Sequence, residues 1–250
     1  MGNYYAGISG LILPVPNKTH YPAAFQDKSR LCYYASLFNS IEINSSFYKI
    51  PQSKTIVKWV EDVPDNFKFT FKLWREISHV KGLAFNPADV HGFMQAINAA
   101  GEKKGCLLIQ FPPSAKANLF PQLMQLISCI READPGHTWQ LALEFRHASW
   151  YNENLFEFVA AHDLAVVLQD KPAAPTPLTF IACKSVYLRF HGPGGSYRGS
   201  YPDDVLAEYS NYIHEWLEEG KTVYVYFNNT MGDAANNLNT LSTFVEQSGG

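Results

Sequence analysis

The sequence predicts an α/β fold, a single (β/α)8 barrel of the TIM type that spans residues 1–250 as one domain. Eight segments of strand length recur along the chain, and most of them precede a segment with helical character. Strands that alternate with helices pair in parallel through right-handed crossovers, and 250 residues are a common length for one barrel. No Ser/Gly-rich linker, charge run or low-complexity segment divides the chain.

The first half of the chain supplies four predicted strands. Tyr4–Gly10 ends in small residues before a proline-containing loop, and Ser40–Asn44 alternates strictly between apolar and polar residues. Phe67–Leu73 alternates aromatic residues with Lys and Thr. Cys106–Phe111 stops at Pro112-Pro113, because proline cannot donate to a strand ladder. The helices predicted in this half are Ser29–Phe38, Lys54–Asp62 after an N-cap at Ser53, and Asp89–Lys104.

The second half repeats the pattern, with one weak unit. Its predicted strands are Leu141–Arg146, Leu164–Asp170, Val186–Gly192 and Val223–Asn228. Its predicted helices are Pro121–Ala133, Glu153–Ala161 after Asn152, Pro202–Glu219 and Asp233–Glu246. The segment Lys171–Ala182 is rich in proline, so the sixth helix is predicted to be short or missing.

Charge and composition favour a small-molecule partner over nucleic acid or a membrane. The net charge is −3 and the pI is about 6.2, without the basic excess of a non-specific nucleic-acid binder. Cys32, Cys106, Cys129 and Cys183 are scattered through apolar contexts, which predicts reduced thiols. No segment approaches the ~18 consecutive apolar residues of a membrane span, and the start lacks a signal-peptide pattern. A cytoplasmic protein is expected, of undetermined oligomeric state.

Polar residues mark the last positions of most predicted strands. Because alternate side chains point to opposite faces of a strand, Glu144 and Arg146 lie on the same face. Taken alone, this pair fits a structural salt bridge as well as a ligand site. The same alternation directs these residues toward the barrel axis: Ser9, Glu42, Asn44, Lys72, Gln110, Glu144, Arg146, Arg189, His191 and Asn228. Since ligands bind at the C-terminal ends of barrel strands, the sequence predicts a functional pocket there.

The predicted pocket combines cations with groups that transfer protons. Its cations are Lys72, Arg146 and Arg189, and its carboxylates are Glu42 and Glu144. The cations are in excess, so a small anion, phosphorylated or sugar-like, is the expected partner. The predicted catalytic residues are Glu42, Glu144 and His191. The predicted substrate-binding residues are Asn44, Lys72, His79, Gln110, Arg146, His147, Arg189, Gly194, Gly195, Asn228 and Asn229. Gly194 and Gly195 are included because they lie in a glycine-rich loop after the seventh predicted strand, Val186–Gly192. In barrels, such a loop is a common position for a phosphate group.

Two alternatives to an anion-binding enzyme remain open. Glu42, Glu144 and His191 would be the ligands of a divalent-metal hydrolase or nuclease. This ligand set is short and the nearby cations compete for the same carboxylates, so no metal ligand and no cofactor is assigned. The other alternative is a non-catalytic module that binds a small ligand in the same pocket.

Several motifs in the chain occur together and in a characteristic order. They are Ser40–Tyr48 with Pro51, Ile77–His79, Gln110–Ser114, Glu144–His147 with Ser149-Trp150, Arg189–Gly192, and Tyr226–Asn229 with Gly232 and Ala234. In these motifs, over nearly its whole length, the chain resembles the DUF72 (YecE-like) family. The resemblance implies a TIM-type barrel and supplies no reaction. The chain departs from the family pattern at Leu11, where members often carry Trp, and at Thr230, where Asp often follows the paired Asn.

Overall fold

Parallel strands and α-helices alternate along residues 1–248, the part of the chain that the computed structural model describes. The strands are β1 (Tyr4–Ile8), β2 (Ser40–Ile43), β3 (Lys68–Lys72), β4 (Lys104–Gln110), β5 (Gln140–Glu144), β6 (Ala165–Val166), β7 (Leu168–Gln169), β8 (Ser185–Phe190) and β9 (Thr222–Phe227). The α-helices are α1 (Arg30–Leu37), α2 (Ser53–Glu61), α3 (Arg75–Ser78), α4 (Pro87–Ile97), α5 (Phe120–Ala133), α6 (Glu153–Ala161), α7 (Asp203–Glu218) and α8 (Ala234–Ser248). Within the same residues, no helix has the length and apolar character needed to cross a membrane.

Hydrogen bonding divides the strands into two parallel sheets. One sheet has the order β1-β9-β8-β7 and the other the order β2-β3-β4-β5-β6. The predicted parallel α/β architecture is therefore confirmed, and its strands are hydrogen-bonded as one sheet of four and one of five. The predicted sixth strand is interrupted at Val167, so that β6 pairs with β5 and β7 pairs with β8. At the other junction, β1 and β2 are joined by an isolated bridge between Ser9 and Glu42.

Side chains replace much of the backbone ladder between β1 and β2. The Tyr34 hydroxyl accepts from the Ile8 N–H at 2.8 Å and donates to the Ser40 carbonyl at 3.0 Å. The Asn39 amide likewise binds two backbone groups of β1. A Cβ at Gly7 would lie 2.0 Å from the Ser40 carbonyl oxygen, so this close approach of the two strands requires glycine. Backbone hydrogen bonds between β1 and β2 are few because Tyr34 of α1 and Asn39, just before β2, occupy the hydrogen-bonding groups of β1.

Strand alternation separates two apolar clusters on opposite faces of the sheets. The larger cluster lies against the helices, and its strand residues include Ile41, Phe71, Leu143, Leu188 and Val225. The smaller cluster packs on the other face and consists of Cys106, Leu108, Ala142, Ala165, Val167, Cys183, Tyr187, Tyr224 and Tyr226. The tyrosines give this inner face hydroxyl groups below the strand ends, where a purely structural core would carry aliphatic side chains.

Three predicted boundaries are wrong for local reasons. Ser53 is the first residue of α2, and Gln52 occupies the N-cap position. The helix predicted to reach Lys104 ends at Ile97, because a 3-10 segment follows in which Gly101 has a φ of 56°. Arg146 lies beyond the end of β5. In the described chain, the Pro-rich segment after β7 contains only the 3-10 turn Leu178–Phe180 before β8 begins, in agreement with the expectation for the sixth helix.

The substitution Tyr34→Phe should lower the free energy of unfolding by about 1–3 kcal/mol, because the buried Ile8 N–H would lose its acceptor. Urea unfolding followed by fluorescence measures this change. Tyr33→Phe is the matched control, since the Tyr33 ring is also buried and its hydroxyl has no hydrogen-bond partner among residues 1–248. Equal stabilities of the two variants would contradict a bridging role for Tyr34.

Candidate functional site

A buried ion-pair cluster of Arg189, Glu42 and Glu144 lies at the carboxyl ends of three strands. Arg189 Nη2 is 2.7 Å from Glu42 Oε1, and Arg189 Nη1 is 2.9 Å from Glu144 Oε2. Both carboxylates are fully buried, and Arg189 is 2 % exposed. These three residues come from β2, β5 and β8, so the cluster connects one sheet to the other. The structure thus brings together the ends of these three strands, as the sequence predicted.

The positions of the cluster follow from the alternation of each strand. Ile41 and Ile43 flank Glu42, and Leu188 and Phe190 flank Arg189. These four neighbours belong to the apolar cluster that packs against the helices. Because alternate residues point to opposite faces, packing of the apolar neighbours directs the charged side chains to the inner face.

Arg189 has no N–H group left for a ligand. Its Nε donates to Glu42, and its Nη2 donates to Glu42 and to Ser9 Oγ. Its Nη1 donates to Glu144 and lies 3.2 Å from His191 Nε2. Four of the five N–H groups of the guanidinium therefore have oxygen acceptors, and the fifth shares the single lone pair of His191 Nε2 with Arg146. The predicted role of Arg189 as a direct anion contact is not favoured by these contacts, which assign it to fixing the two carboxylates.

The carboxylates of Glu42 and Glu144 are held in the ionised form. Burial alone would raise the pKa of each, but the surrounding charges and hydrogen bonds, led by the charge of Arg189, together outweigh burial and lower the pKa of both. Glu42 also accepts hydrogen bonds from the hydroxyls of Ser9 and Tyr187. A group with so low a pKa is a poor proton donor and a weak base near pH 7. The contacts thus do not favour the predicted acid–base role of either residue.

His191 links the ion-pair cluster to Asp170, which the sequence interpretation had not selected. His191 Nδ1 lies 3.1 Å from Asp170 Oδ1, and the Tyr201 hydroxyl donates to Asp170 Oδ2. Burial lowers the pKa of His191, so the ring is neutral near pH 7, with Nδ1–H donating to Asp170 and Nε2 accepting from arginine. The only sequence signal for Asp170 was its position at the end of the predicted sixth strand.

Asp170 changes the charge balance of the site. The cations Lys72, Arg146 and Arg189 are matched by Glu42, Glu144 and Asp170, and the neutral His191 adds nothing. The predicted excess of positive charge is therefore corrected to a balance. Any preference for an anion must come from individual donor groups with spare hydrogen-bonding capacity.

Arg146 is such a donor. Its Nη2 forms an ion pair with Glu144 Oε1 and lies 3.0 Å from His191 Nε2. Its Nη1 is buried and has no hydrogen-bond partner among the described residues. A buried cationic N–H without an acceptor costs about 1–3 kcal/mol or more, which a ligand oxygen would recover.

Lys72 is a second cation with unused capacity. Its Nζ donates to Gln110 Oε1 at 2.7 Å and lies 4.3 Å from the centre of the Phe47 ring. Burial, with a contribution from Arg189, lowers the pKa of Lys72 to about 8. His79 lies beside this pair, with its Nε2 3.5 Å from Gln110 Nε2. Burial and the charge of Lys72 lower the pKa of His79 to about 4, so its ring is neutral near pH 7.

Two predicted asparagines lie at the edges of the ion-pair cluster. Asn44 Nδ2 donates to Ser9 Oγ at 2.6 Å, while its Oδ1 is buried and has no partner in residues 1–248. The backbone N–H of Asn228 donates to the Phe190 carbonyl, and the residue is 7 % exposed. Asn44 therefore connects to Glu42 through Ser9, and Asn228 follows the end of β9.

Four predicted ligand contacts serve the loops instead. His147 caps the turn Ala148–Trp150 by accepting from the Ser149 N–H. The N–H of Gly195 donates to the Gly192 carbonyl, and Gly194 is exposed in the same turn. The side chain of Asn229 binds the Gly199 carbonyl and Asn237. None of these contacts joins the ion-pair cluster, and the Gly195 N–H is used within its own turn.

The donor atoms of Glu42, Glu144 and His191 do not fit a divalent metal. The carboxylate oxygens are paired with guanidinium groups and hydroxyls, and His191 Nε2 faces two arginines. A metal ion requires such lone pairs to be free of competing cations. No catalytic step through a metal is therefore assigned to these residues.

The fold and this site define a parallel α/β protein with a buried ion-pair cluster at the ends of its strands. A family model described as "Protein of unknown function DUF72" matches residues 5–249, and the chain belongs to this family. The resemblance noted from the sequence motifs is thereby confirmed.

One curated relative and two solved structures are similar to this chain over most of its length. The chain is 26 % identical to the UPF0759 protein YunF of Bacillus subtilis over 256 residues, covering 87 % of this chain and 86 % of that protein. A crystal structure of a DUF72 family protein from Thermotoga maritima superimposes with a TM-score of 0.78 at 26 % identity, covering 98 % of this chain and 99 % of that one. A DUF72 family protein from Enterococcus faecalis gives a TM-score of 0.80 at 22 % identity, covering 97 % of this chain and 95 % of that one, and supports the fold.

The substitution Arg189→Met should lower the free energy of unfolding by about 3–5 kcal/mol at pH 7, because two buried carboxylates would lose their counter-charge. Chemical unfolding at several pH values measures the effect. Arg75→Met is the control, since Arg75 forms an exposed pair with Glu76 that is worth at most about 1 kcal/mol.

The same substitution should show a defined pH dependence. The folded-state pKa values of Glu42 and Glu144 lie below the ordinary value of 4.5, so their stabilisation is present above pH 4.5 and lost as the pH falls further. The difference between the parent protein and the Arg189→Met variant should therefore shrink below pH 4.5. A difference that is constant over this range would contradict ionised carboxylates.

Proposed function

We propose that this protein binds a small anionic compound, phosphorylated or sugar-like, at the carboxyl ends of its strands. Arg146 and Lys72 are the direct contacts to the anion, and Asn44, His79, Gln110 and Asn228 surround it. Arg189, Glu42 and Glu144 hold the neighbouring side chains in place without touching the ligand. This assignment narrows the set of residues predicted from the sequence to those with free donor or acceptor atoms.

The observation that carries the proposal is the unpaired, buried Nη1 of Arg146. Nη2 of the same guanidinium is fixed by Glu144 and His191, so the free Nη1–H group has a set direction. A guanidinium with one edge fixed and one edge free is suited to carboxylate and phosphate oxygens. The buried Oδ1 of Asn44, also without a partner in the described chain, is an acceptor for a ligand hydroxyl.

A cavity of about 150 Å³ next to His79 supports a small ligand. Its lining includes Ser78, His79, Pro112 and Ser114, which follow β3 and β4. A cavity of this volume in another protein holds a molecule the size of benzene. One lining residue, His79, lies 3.5 Å from the side chain of Gln110, which accepts a hydrogen bond from Lys72 Nζ.

We also propose that the two sheets form one closed barrel within a single domain. Val167 donates to the Leu143 carbonyl at 2.8 Å between β6 and β7, and Gly10 donates to the Glu42 carbonyl at 2.9 Å beyond the end of β1. Arg189 adds a side-chain connection across the inner face. These bonds lie at the two junctions where a closed ring of strands requires them.

Lys72 is the group available for proton transfer if the bound compound reacts. The pKa of Lys72, about 8, allows both protonation states near neutrality, whereas His79, with a pKa of about 4, is a weak base there. A non-catalytic binding module is favoured by a different observation, the ion pairing of both buried carboxylates with arginine. Mass spectrometry of compounds that co-purify, before and after incubation with fresh protein, separates a reactant from an unchanged ligand.

Anion binding is tested by calorimetry with inorganic phosphate, sulfate and sugar monophosphates at constant ionic strength. Arg146→Gln and Lys72→Met should each weaken binding by about 10–100-fold, since a charge-assisted hydrogen bond contributes about 1.5–3 kcal/mol. Arg75→Gln, at an exposed position, is the control and should bind like the parent protein. The proposal fails if none of these anions binds, or if the control weakens binding as much as Arg146→Gln.

Binding of an anion with constant charge, such as sulfate, should weaken as the pH rises through about 8, because Lys72 loses its proton there. The pH profile of the dissociation constant should become flat in Lys72→Met. Lys68→Met, at the opposite end of β3, should retain the profile of the parent protein. An unchanged profile in Lys72→Met would remove Lys72 from the anion site.

A further inference from the structure

His91, Cys129 and Glu132 form a group of potential metal ligands away from the strand ends. One nitrogen, one sulfur and one oxygen from these residues all lie within 4.8 Å of one another. Within residues 1–248 this is the one group of three His, Cys, Asp or Glu side chains with that geometry. Its members come from the neighbouring helices α4 and α5, and none of them belongs to the proposed anion site.

Helix geometry explains why the three side chains meet. Cys129 and Glu132 are three residues apart on α5, so they lie on the same face of that helix. Cys129 Sγ is 4.0 Å from the carbonyl oxygen of Pro87, in the first turn of α4. His91 lies one helical turn after Pro87 and therefore above the same face. The meeting point is set by two rigid helices, which favours a preformed geometry.

The donor types suit a borderline-soft divalent cation, above all zinc. Zinc binds Cys sulfur at about 2.3 Å and His nitrogen or carboxylate oxygen at about 2.0–2.2 Å in a tetrahedron, so its ligand atoms lie about 3.3–3.8 Å apart. Separations of at most 4.8 Å need only small side-chain adjustments to reach that geometry. The imidazole of His91 has no hydrogen bond or ion pair within the described chain that would compete for its lone pair.

Exposure leaves room for an ion and a fourth ligand. His91 and Glu132 are exposed, whereas Cys129 is 7 % exposed at the base of the group. Cys129 and Glu132 also line a cavity of about 570 Å³ between the loop Gly82–Phe85 and α5. Gln122 lines the same cavity, and its buried Oε1 has no partner in the described chain, so polar capacity is unused there.

We propose that His91, Cys129 and Glu132 bind a zinc ion that links α4 to α5, with water in the fourth position. The site lies among the helices, so it does not depend on the proposed anion site. Three ligands and one open position also permit cobalt to report on the site spectroscopically.

The test uses the full chain, reduced and freed of metal by a chelator, and titrated with zinc alone or cobalt alone. Cobalt should produce a near-ultraviolet thiolate charge-transfer band, and zinc should displace it at one ion per chain. Cys129→Ser should abolish the band, and His91→Gln and Glu132→Gln should each weaken zinc binding by about 10–100-fold or more. His91 and Glu132 are exposed and Cys129 is buried, so far-ultraviolet circular dichroism checks that each variant, Cys129→Ser above all, is folded.

Cys32→Ser is the matched control, because Cys32 is a free, partly exposed cysteine on α1 with no place in the group. It should leave the band and the zinc affinity unchanged. The proposal is overturned if cobalt gives no thiolate band, if the band survives in Cys129→Ser, or if Cys32→Ser removes it. Equal zinc affinity in the parent protein and in His91→Gln would also overturn it.

Discussion

Burial of Glu42, Glu144 and Arg189 in one place is the constraint on which the other contacts at the strand ends depend. Each of these charges alone would cost several kcal/mol in the protein interior, so none is tolerable without the other two. Two carboxylates on different strands fix the guanidinium between them, and the guanidinium in turn holds both pKa values down. The hydroxyls of Ser9 and Tyr187 then satisfy the remaining lone pairs of Glu42.

The sequence alone predicted which strand ends converge, because the two-residue period of a strand is a strong local signal. It placed Glu42, Glu144 and Arg189 on one face, and the structure brings them together. It did not predict that Arg189 is saturated, since counting charges by strand says nothing about how many acceptors each N–H group finds. Asp170 was missed because one acidic residue at the end of an apolar strand has the same pattern as an ordinary surface residue.

For the fold as well, the local pattern was predictable from the sequence and the tertiary contacts were not. Alternating strands and helices gave the parallel α/β architecture. The bounds of the predicted helices agree with the structure within a few residues, except that α4 ends at Ile97 before the 3-10 segment that contains Gly101. The division into two sheets was not predictable, because it depends on tertiary contacts of Tyr34, Asn39 and Gly7 that replace backbone hydrogen bonds between β1 and β2. Asn229 was predicted as a ligand contact, whereas its side-chain Nδ2 binds a loop carbonyl. An asparagine that binds a ligand and one that binds a loop carbonyl have the same local sequence.

The balance of charges at the strand ends limits how the proposed anion site could select its ligand. With three cations matched by three carboxylates, long-range attraction contributes little, and selectivity must come from short-range donors whose direction is fixed. Arg146 meets this condition because Glu144 and His191 hold one of its edges. Lys72 provides a charge that depends on pH, since its pKa is about 8. A nearby anion would raise this pKa and keep the side chain protonated. Binding of an anion above that pH must therefore take up a proton. In the proposed anion site, the ion-pair cluster would act without touching the ligand, because it orients the guanidinium of Arg146.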